Sequence, residues 1–278
     1  MTNSLLYDSH MHTPLCKHAK GMPTEYAEVA QKRGLKGIII TCHNPGPEGW
    51  SERVRMSLDD FDNYIDMVEQ ARISWKGIVD VRLGLESDFF PGIEPLLERL
   101  HSKADFHFIL GSVHPQLPYY KNEYFADDIR SFERGYFEHL AMAAESGLYD
   151  CLSHPDLIKN MFPDQWNPDN LIDDIRRSLD RIAKTGVCME LNTSGLHKRY
   201  KEMNPGRLML TEMCSRQIPV VLGSDSHAPS RVSANFEEAL ETLKAVGYTQ
   251  VTHFLKRQPH QVGIDAALGS LQNGRHVL

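Results

Sequence analysis

The chemistry-bearing residues of this chain are its histidines. Seven of the 14 histidines fall, with four acids, into short polar groups that follow apolar runs: Asp8-Ser-His10-Met-His12 with His18 soon after, then His43, Glu86 with Asp88 beyond it, His114, His154 and Asp225-Ser-His227. Imidazole and carboxylate together are the ligand set of zinc, manganese and iron. Residues two apart on extended chain face the same side, so His10 and His12 can grip one ion, and Asp225 and His227 repeat the arrangement. Glu86 can bridge two ions with its two oxygens. Taken singly, an HxH pair is ordinarily a turn accident, a strand-end His a hydrogen-bonded loop residue, and a Glu after an apolar run a helix cap. The joint pattern at successive strand ends is what points to metal. Cys16, Cys42, Cys151, Cys188 and Cys214 are scattered with no CxxC pair, which argues against a structural zinc module and reads as reduced thiols packed as small apolar groups. Cys16 and Cys42 stand next to candidate ligands. His101, His107, His139, His197, His253, His260 and His276 do not fit the pattern and read as helix surface, strand packing or tail.

These groups need a frame that brings them together. Short apolar runs predict strands at 5–11, 37–43, 80–86, 106–114, 149–154, 187–192 and 219–225, with a last one at 251–255. Longer runs of helical periodicity predict helices at 23–34, 58–75, 93–101, 127–146, 168–184, 206–216 and 235–246. Such alternation argues for a parallel sheet with helical crossovers, and this many units suit a closed barrel. In a parallel barrel the C-terminal strand ends converge on one face, which would gather the polar groups at one mouth. The segments 43–57, 114–124 and 160–167 read as loops walling that mouth, with Trp50, Tyr119, Tyr120, Phe162 and Trp166 placed to meet an organic group. No linker divides the chain, so residues 1–278 read as one domain.

The bulk numbers narrow the partners. A chain of 278 residues, 41% hydrophobic and 24% charged, can bury a sizeable core. A formal net charge of −7 disfavours nucleic acid, which requires clustered Lys and Arg. The N-terminus lacks a basic region followed by an apolar one, and no run of about 18 apolar residues exists, so the expectation is a cytoplasmic protein without a membrane partner. It is expected as a monomer or homodimer.

The ordered set His10-x-His12-x5-His18, His43, Glu86, His114, His154 and Asp225-x-His227 resembles the polymerase-and-histidinol-phosphatase (PHP) superfamily over about residues 5 to 265. That resemblance implies a distorted (β/α)7 TIM-like barrel holding two or three divalent transition-metal ions (Zn, Mn or Fe) at the C-terminal strand ends. It implies a first ion on His10, His12, Glu86 and Asp225, a second on Glu86, His114 and His154, and a third on His18, His43 and His227. Glu190-Leu-Asn-Thr-Ser-Gly-Leu196 and the segments Gly111–His114 and Gly223–His227 are similar to those of the stand-alone histidinol-phosphate phosphatases. The implied reaction is hydrolysis of L-histidinol phosphate in histidine biosynthesis. The family often has Arg after the Asn-Thr-Ser-Gly-Leu stretch; here His197 stands there, followed by Lys198 and Arg199. Those three, with Lys159 and Arg231, are the candidate phosphate ligands.

Metals of such a cluster generate a nucleophilic hydroxide near neutral pH and clamp the attacking and leaving oxygens. Glu86, Asp225 and His227 are the candidate catalytic residues, with Asp225 or His227 assisting the leaving alkoxide. The rival readings are a phosphatase for a nucleotide or sugar phosphate, an exonuclease, an amidohydrolase-like carbon–nitrogen hydrolase and a metal store. The net charge opposes the exonuclease, the lack of a strand-end Lys opposes the amidohydrolase, and a full mixed ligand set opposes the store.

Overall fold

In the computed structural model, which describes residues 4–47, 50 and 52–275, the alternation resolves into a parallel barrel. The strands β1 (Tyr7–Asp8), β2 (Gly37–Ile40), β3 (Asp80–Asp88), β4 (Phe108–Ser112), β5 (Cys151–Leu152), β6 (Cys188–Asn192) and β7 (Val220–Gly223) lie side by side in chain order. Each pairs in parallel with the next. The ring closes where β7 returns to β1: the Ser9 N–H donates to the Leu222 carbonyl at 3.3 Å, and Met11 bridges Ser226 in parallel. The expected distorted (β/α)7 barrel is therefore present. Buried Asp8 stitches the closure, accepting from the backbone N–H groups of Ser224 (3.0 Å) and Ser233 (2.7 Å).

The α-helices are α1 (Pro23–Lys32), α2 (Phe61–Ser74), α3 (Glu94–His101), α4 (Pro118–Tyr124), α5 (Ile129–Glu145), α6 (Ile172–Thr185), α7 (Arg207–Ser215), α8 (Phe236–Val246) and α9 (Ile264–Arg275). Local signals explain their ends. Pro23 opens α1, and the Glu25 carboxylate accepts from the Met22 N–H at 2.6 Å. Gly186 ends α6 in the left-handed region, and Ile175, Leu179 and Ile182 form its buried stripe.

Three parts differ from the sequence expectation. Residues 114–124, read as loop, contain α4. The first strand is shorter than 5–11, because beyond Asp8 the chain exchanges hydrogen bonds with Ser226 (His12 N–H to Ser226 O, 2.9 Å; Ser226 N–H to His10 O, 3.1 Å). Past β8 (Gln250–Leu255), an unexpected β9 (Gln258–Gly263) folds back antiparallel, followed by α9. This hairpin plugs the N-terminal end of the barrel: Phe254 stacks on Phe108 at 5.3 Å among Tyr7, Ile39, Leu110, Cys151, Cys188 and Val221. The opposite mouth is thus left to the polar residues. Among the described residues no helix is long and apolar enough to cross a membrane. His276 lies outside the described residues.

Candidate metal centre

Every strand end named in the sequence reading delivers its side chain to one place. His10 and His12 follow β1, His18 follows a 3-10 turn (Pro14–Cys16), His43 follows β2, and Glu86 lies within β3. His114, His154 and Asp225 follow β4, β5 and β7, with His227 two residues later. Glu86 is the hub and is fully buried. Its Oε2 lies 3.4 Å from His10 Nε2, 3.6 Å from His12 Nε2 and 2.6 Å from His43 Nδ1. Its Oε1 lies 3.1 Å from His154 Nε2 and 3.5 Å from His114 Nε2. Asp225 Oδ1 lies 3.1 Å from His12 Nε2 and 3.4 Å from His227 Nδ1. His18 and His227 meet Nε2 to Nε2 at 2.9 Å.

The backbone is bent to achieve this. His154 and Asp225 both sit at positive φ (25° and 50°), a region that side-chain-bearing residues adopt uncommonly. Gly223 is required by crowding: a Cβ there would fall 1.8 Å from Glu190 Oε1 and 2.8 Å from His10 Cβ.

The donor set suits divalent cations. Buried polar atoms are normally hydrogen-bonded, yet His10 Nε2 and His12 Nδ1 are buried without a hydrogen-bond partner. His18 Nδ1 donates to the Cys16 carbonyl (2.7 Å) and His227 Nδ1 to that of Asp225 (3.1 Å). With both Nδ1 atoms donating, the two Nε2 atoms face one another, which suits either a proton or a metal ion between them.

Electrostatics agree. Burial opposes ionisation of Glu86, but His43, His10 and His114 outweigh it and hold its pKa well below the usual carboxylate range. Asp225 is likewise held low, against burial, by Lys198 and His10. Burial pushes His43 well down with help from Arg55, and drives His227 to about 3 with help from His12. Burial also lowers His114. Ionised carboxylates and neutral imidazoles are the protonation states that bind metal. His10 and His18 depart: Glu190, Glu86 and Asp225 overcome burial and raise His10, and Cys16 overcomes burial and raises His18, so the pocket favours positive charge at both.

Supporting residues complete the arrangement, and sequence reading passed over two of them. Glu190, inside β6, accepts from His10 Nδ1 at 2.7 Å and from the His154 backbone N–H at 2.8 Å, leaving His10 Nε2 for the centre. An acid in the middle of a buried strand was the available signal. Buried Arg55 grips Asp88 through Nε (2.7 Å) and Nη2 (2.9 Å), and Asp88 in turn pairs with His114 Nδ1. Arg55 gave no signal, since it lies in a segment without periodicity. Ser112 donates to Glu86 Oε1 at 2.6 Å.

The candidate phosphate ligands separate. Lys198 Nζ lies 2.9 Å from Asp225 Oδ2 and faces the centre. His197 and Arg199 beside it are exposed. Lys159 is a correction: it is fully buried, and its ammonium donates to Asp156 Oδ2 (3.0 Å), Glu202 Oε2 (3.2 Å) and the Met203 carbonyl (2.6 Å), which uses all three N–H groups. Arg231 lines a cavity of about 610 Å³ with Lys32, Arg33 and Phe236. Trp50 and Tyr119 join Phe90 in an aromatic group (Trp50–Phe90 5.7 Å, Phe90–Tyr119 4.9 Å between ring centres). Tyr120 instead turns inward onto His139 Nδ1 at 2.6 Å.

A seven-stranded parallel barrel with a His/Glu/Asp cluster at its C-terminal mouth defines an α/β-barrel protein built to hold metal. The chain belongs to the PHP domain family, whose profile matches residues 8–194. It is 37% identical over 261 residues to the probable histidinol-phosphatase of Deinococcus radiodurans, covering 91% of this chain and 99% of that one. It is 26% identical over 265 residues to the histidinol-phosphatase of Bacillus subtilis, covering 84% and 98%. In fold it is similar to the histidinol phosphate phosphatase of Lactococcus lactis subsp. lactis, a structure complexed with zinc, L-histidinol and phosphate (TM-score 0.76, 18% identity, 91% of this chain and 98% of that one).

Proposed function

We propose that this chain, as one domain over residues 1–278, is a metal-dependent phosphomonoesterase that hydrolyses L-histidinol phosphate to L-histidinol and phosphate, the reaction of histidine biosynthesis. The observation that carries the reading is Glu86, a buried carboxylate with separate sets of imidazoles against each of its oxygens. The names of the Deinococcus and Bacillus relatives support the substrate.

In this reading His10, His12, Glu86 and Asp225 hold one ion, Glu86, His114 and His154 a second, and His18, His43 and His227 a third. The zinc bound in the L. lactis structure makes zinc the first metal to try, with manganese and iron beside it. When bound, the ions supply charge neutralisation at the phosphate and a hydroxide at neutral pH. The chain's own groups do the rest. Glu190 holds the His10 ring and Asp88 the His114 ring, which fixes the donor atoms. Lys198 shares Asp225 Oδ2 with the Ser194 hydroxyl, each at 2.9 Å, and can turn its ammonium to a phosphate oxygen. In this reading Asp225 or His227 assists the leaving oxygen. Tyr119, half open to solvent beside Phe90 and Trp50, offers a ring face to the imidazole of the substrate.

The test is steady-state phosphate release from L-histidinol phosphate with Zn²⁺, Mn²⁺ or Fe²⁺, run beside nucleotide and sugar phosphates. A strong preference for L-histidinol phosphate is expected. A better substrate among the others would replace the substrate assignment, and no turnover with any metal would end the enzymatic reading.

A further inference from the structure

The ligand set proposed for the third ion has a charge problem. The first two subsites each include a carboxylate, whereas His18, His43 and His227 are neutral imidazoles and offset none of an ion's double charge. A further donor lies beside them. Cys16 ends the 3-10 turn Pro14–Cys16, and Lys17 at φ 68° reverses the chain so that His18 folds back and bonds the Cys16 carbonyl. One ligand atom from each of Cys16, His18 and His227 lies within 4.8 Å of the others, as do those of His12, Cys16 and Cys42. Cys16 and Cys42 are fully buried, so neither sulfur owes its position to solvent. Cys42 Sγ is already held by the Thr13 hydroxyl (3.2 Å) and N–H (3.4 Å). His12, also fully buried, has a ring nitrogen, Nδ1, with no hydrogen-bond partner.

We propose that Cys16 is a thiolate ligand of the ion held by His18 and His227, making this subsite a nitrogen–sulfur position that prefers zinc to manganese. The proposal rests on the metal-centre reading above and extends it. The thiol releases its proton to solvent as the sulfur–metal bond forms, so the thiolate brings the negative charge that the imidazoles lack. A soft sulfur donor favours zinc and cobalt, while manganese suits oxygen donors. Cys42, anchored by Thr13, packs behind the Cys16 sulfur and stays a thiol.

Cobalt(II) reports sulfur ligation directly, through sulfur-to-metal charge-transfer absorption in the near ultraviolet. The full chain is loaded with cobalt, bound metal is counted by elemental analysis, and the spectrum is recorded for the unaltered protein, Cys16→Ser and Cys42→Ser. Expected are a charge-transfer band in the unaltered protein, its loss in Cys16→Ser and its retention in Cys42→Ser. Zinc affinity at one subsite of Cys16→Ser should fall at least 10- to 100-fold, with manganese affinity unchanged. Cobalt bound without the band in the unaltered protein would overturn the thiolate and leave the centre intact, and that spectrum needs no variant to fold. A band that survives in Cys16→Ser, or vanishes only in Cys42→Ser, would overturn the choice of sulfur. A chain that binds no cobalt would overturn the metal centre and this inference together.

Discussion

Glu86→Gln isolates charge from shape at the hub of the site. Glutamine keeps the side-chain length and can still accept from the Ser112 hydroxyl, which lies 2.6 Å from Oε1. It loses the negative charge that the His10, His12, His43, His114 and His154 nitrogens surround. In the metal-free protein the imidazoles outweigh the cost of burying that carboxylate, so its loss should lower stability by about 3–5 kcal/mol. The metal-bound protein should lose more still. Zinc at 1,000 times its Kd stabilises by about 4.1 kcal/mol; a 100-fold weaker site leaves about 1.4 kcal/mol. For a chain of this size the zinc-induced rise in Tm should shrink by roughly 5–10 °C. Losing one Lewis-acid contribution of about 4 kcal/mol lowers kcat by about 10³-fold. Calorimetric melting with and without zinc, paired with phosphate release, reads both quantities. A variant with the unaltered zinc-induced shift and full turnover would refute the bridging role.

The two buried or half-buried lysines should behave oppositely. Lys198→Met removes a charged donor aimed at the centre and should lower kcat/KM by roughly 10- to 100-fold, about 1.5–3 kcal/mol, with little change in Tm; an unchanged kcat/KM would remove Lys198 from phosphate binding. Lys159→Met strands buried Asp156 and should cost about 3–5 kcal/mol of stability while the folded fraction keeps its KM; a raised KM at unchanged stability would return Lys159 to the substrate. At the barrel floor, His253 stacks on Tyr7 at 4.5 Å, and burial, helped by His260, lowers its pKa to about 4. The unfolded chain then binds the extra proton between about pH 6.5 and 4, so this contribution is complete above pH 6.5 and lost as pH falls to 4. Discounted for partial screening it is worth about 2 kcal/mol. His253→Phe keeps a stacking ring and should flatten the acid side of the stability curve by that amount, measured by denaturant unfolding at pH 7 and 4.5. Identical pH dependence in both proteins would show that His253 titrates normally.

What the sequence disclosed and withheld follows from how each residue acts. His10, His12, His43, Glu86, His114, His154 and Asp225 were legible because each ends or interrupts an apolar run, and parallel topology turns sequence position at a strand end into spatial convergence. Strand order was legible for the same reason. β9 was not, because Gln258-Pro-His-Gln-Val-Gly263 lies exposed on one edge and carries no alternation. Residues that act through others were the hardest to see. Lys159 looked like a phosphate ligand because a lysine after a strand-end His usually reaches solvent; its partners Glu202 and Met203 lie more than 40 residues on, and only the fold reveals them. Glu190 shows the converse. Its sequence neighbours suggest strand packing, yet its oxygens fix His10, 180 positions away, and the backbone of His154. A ligand is readable from its own chemistry and place in the strand, whereas an orienting group has a function only through a contact that the chain makes when the barrel closes.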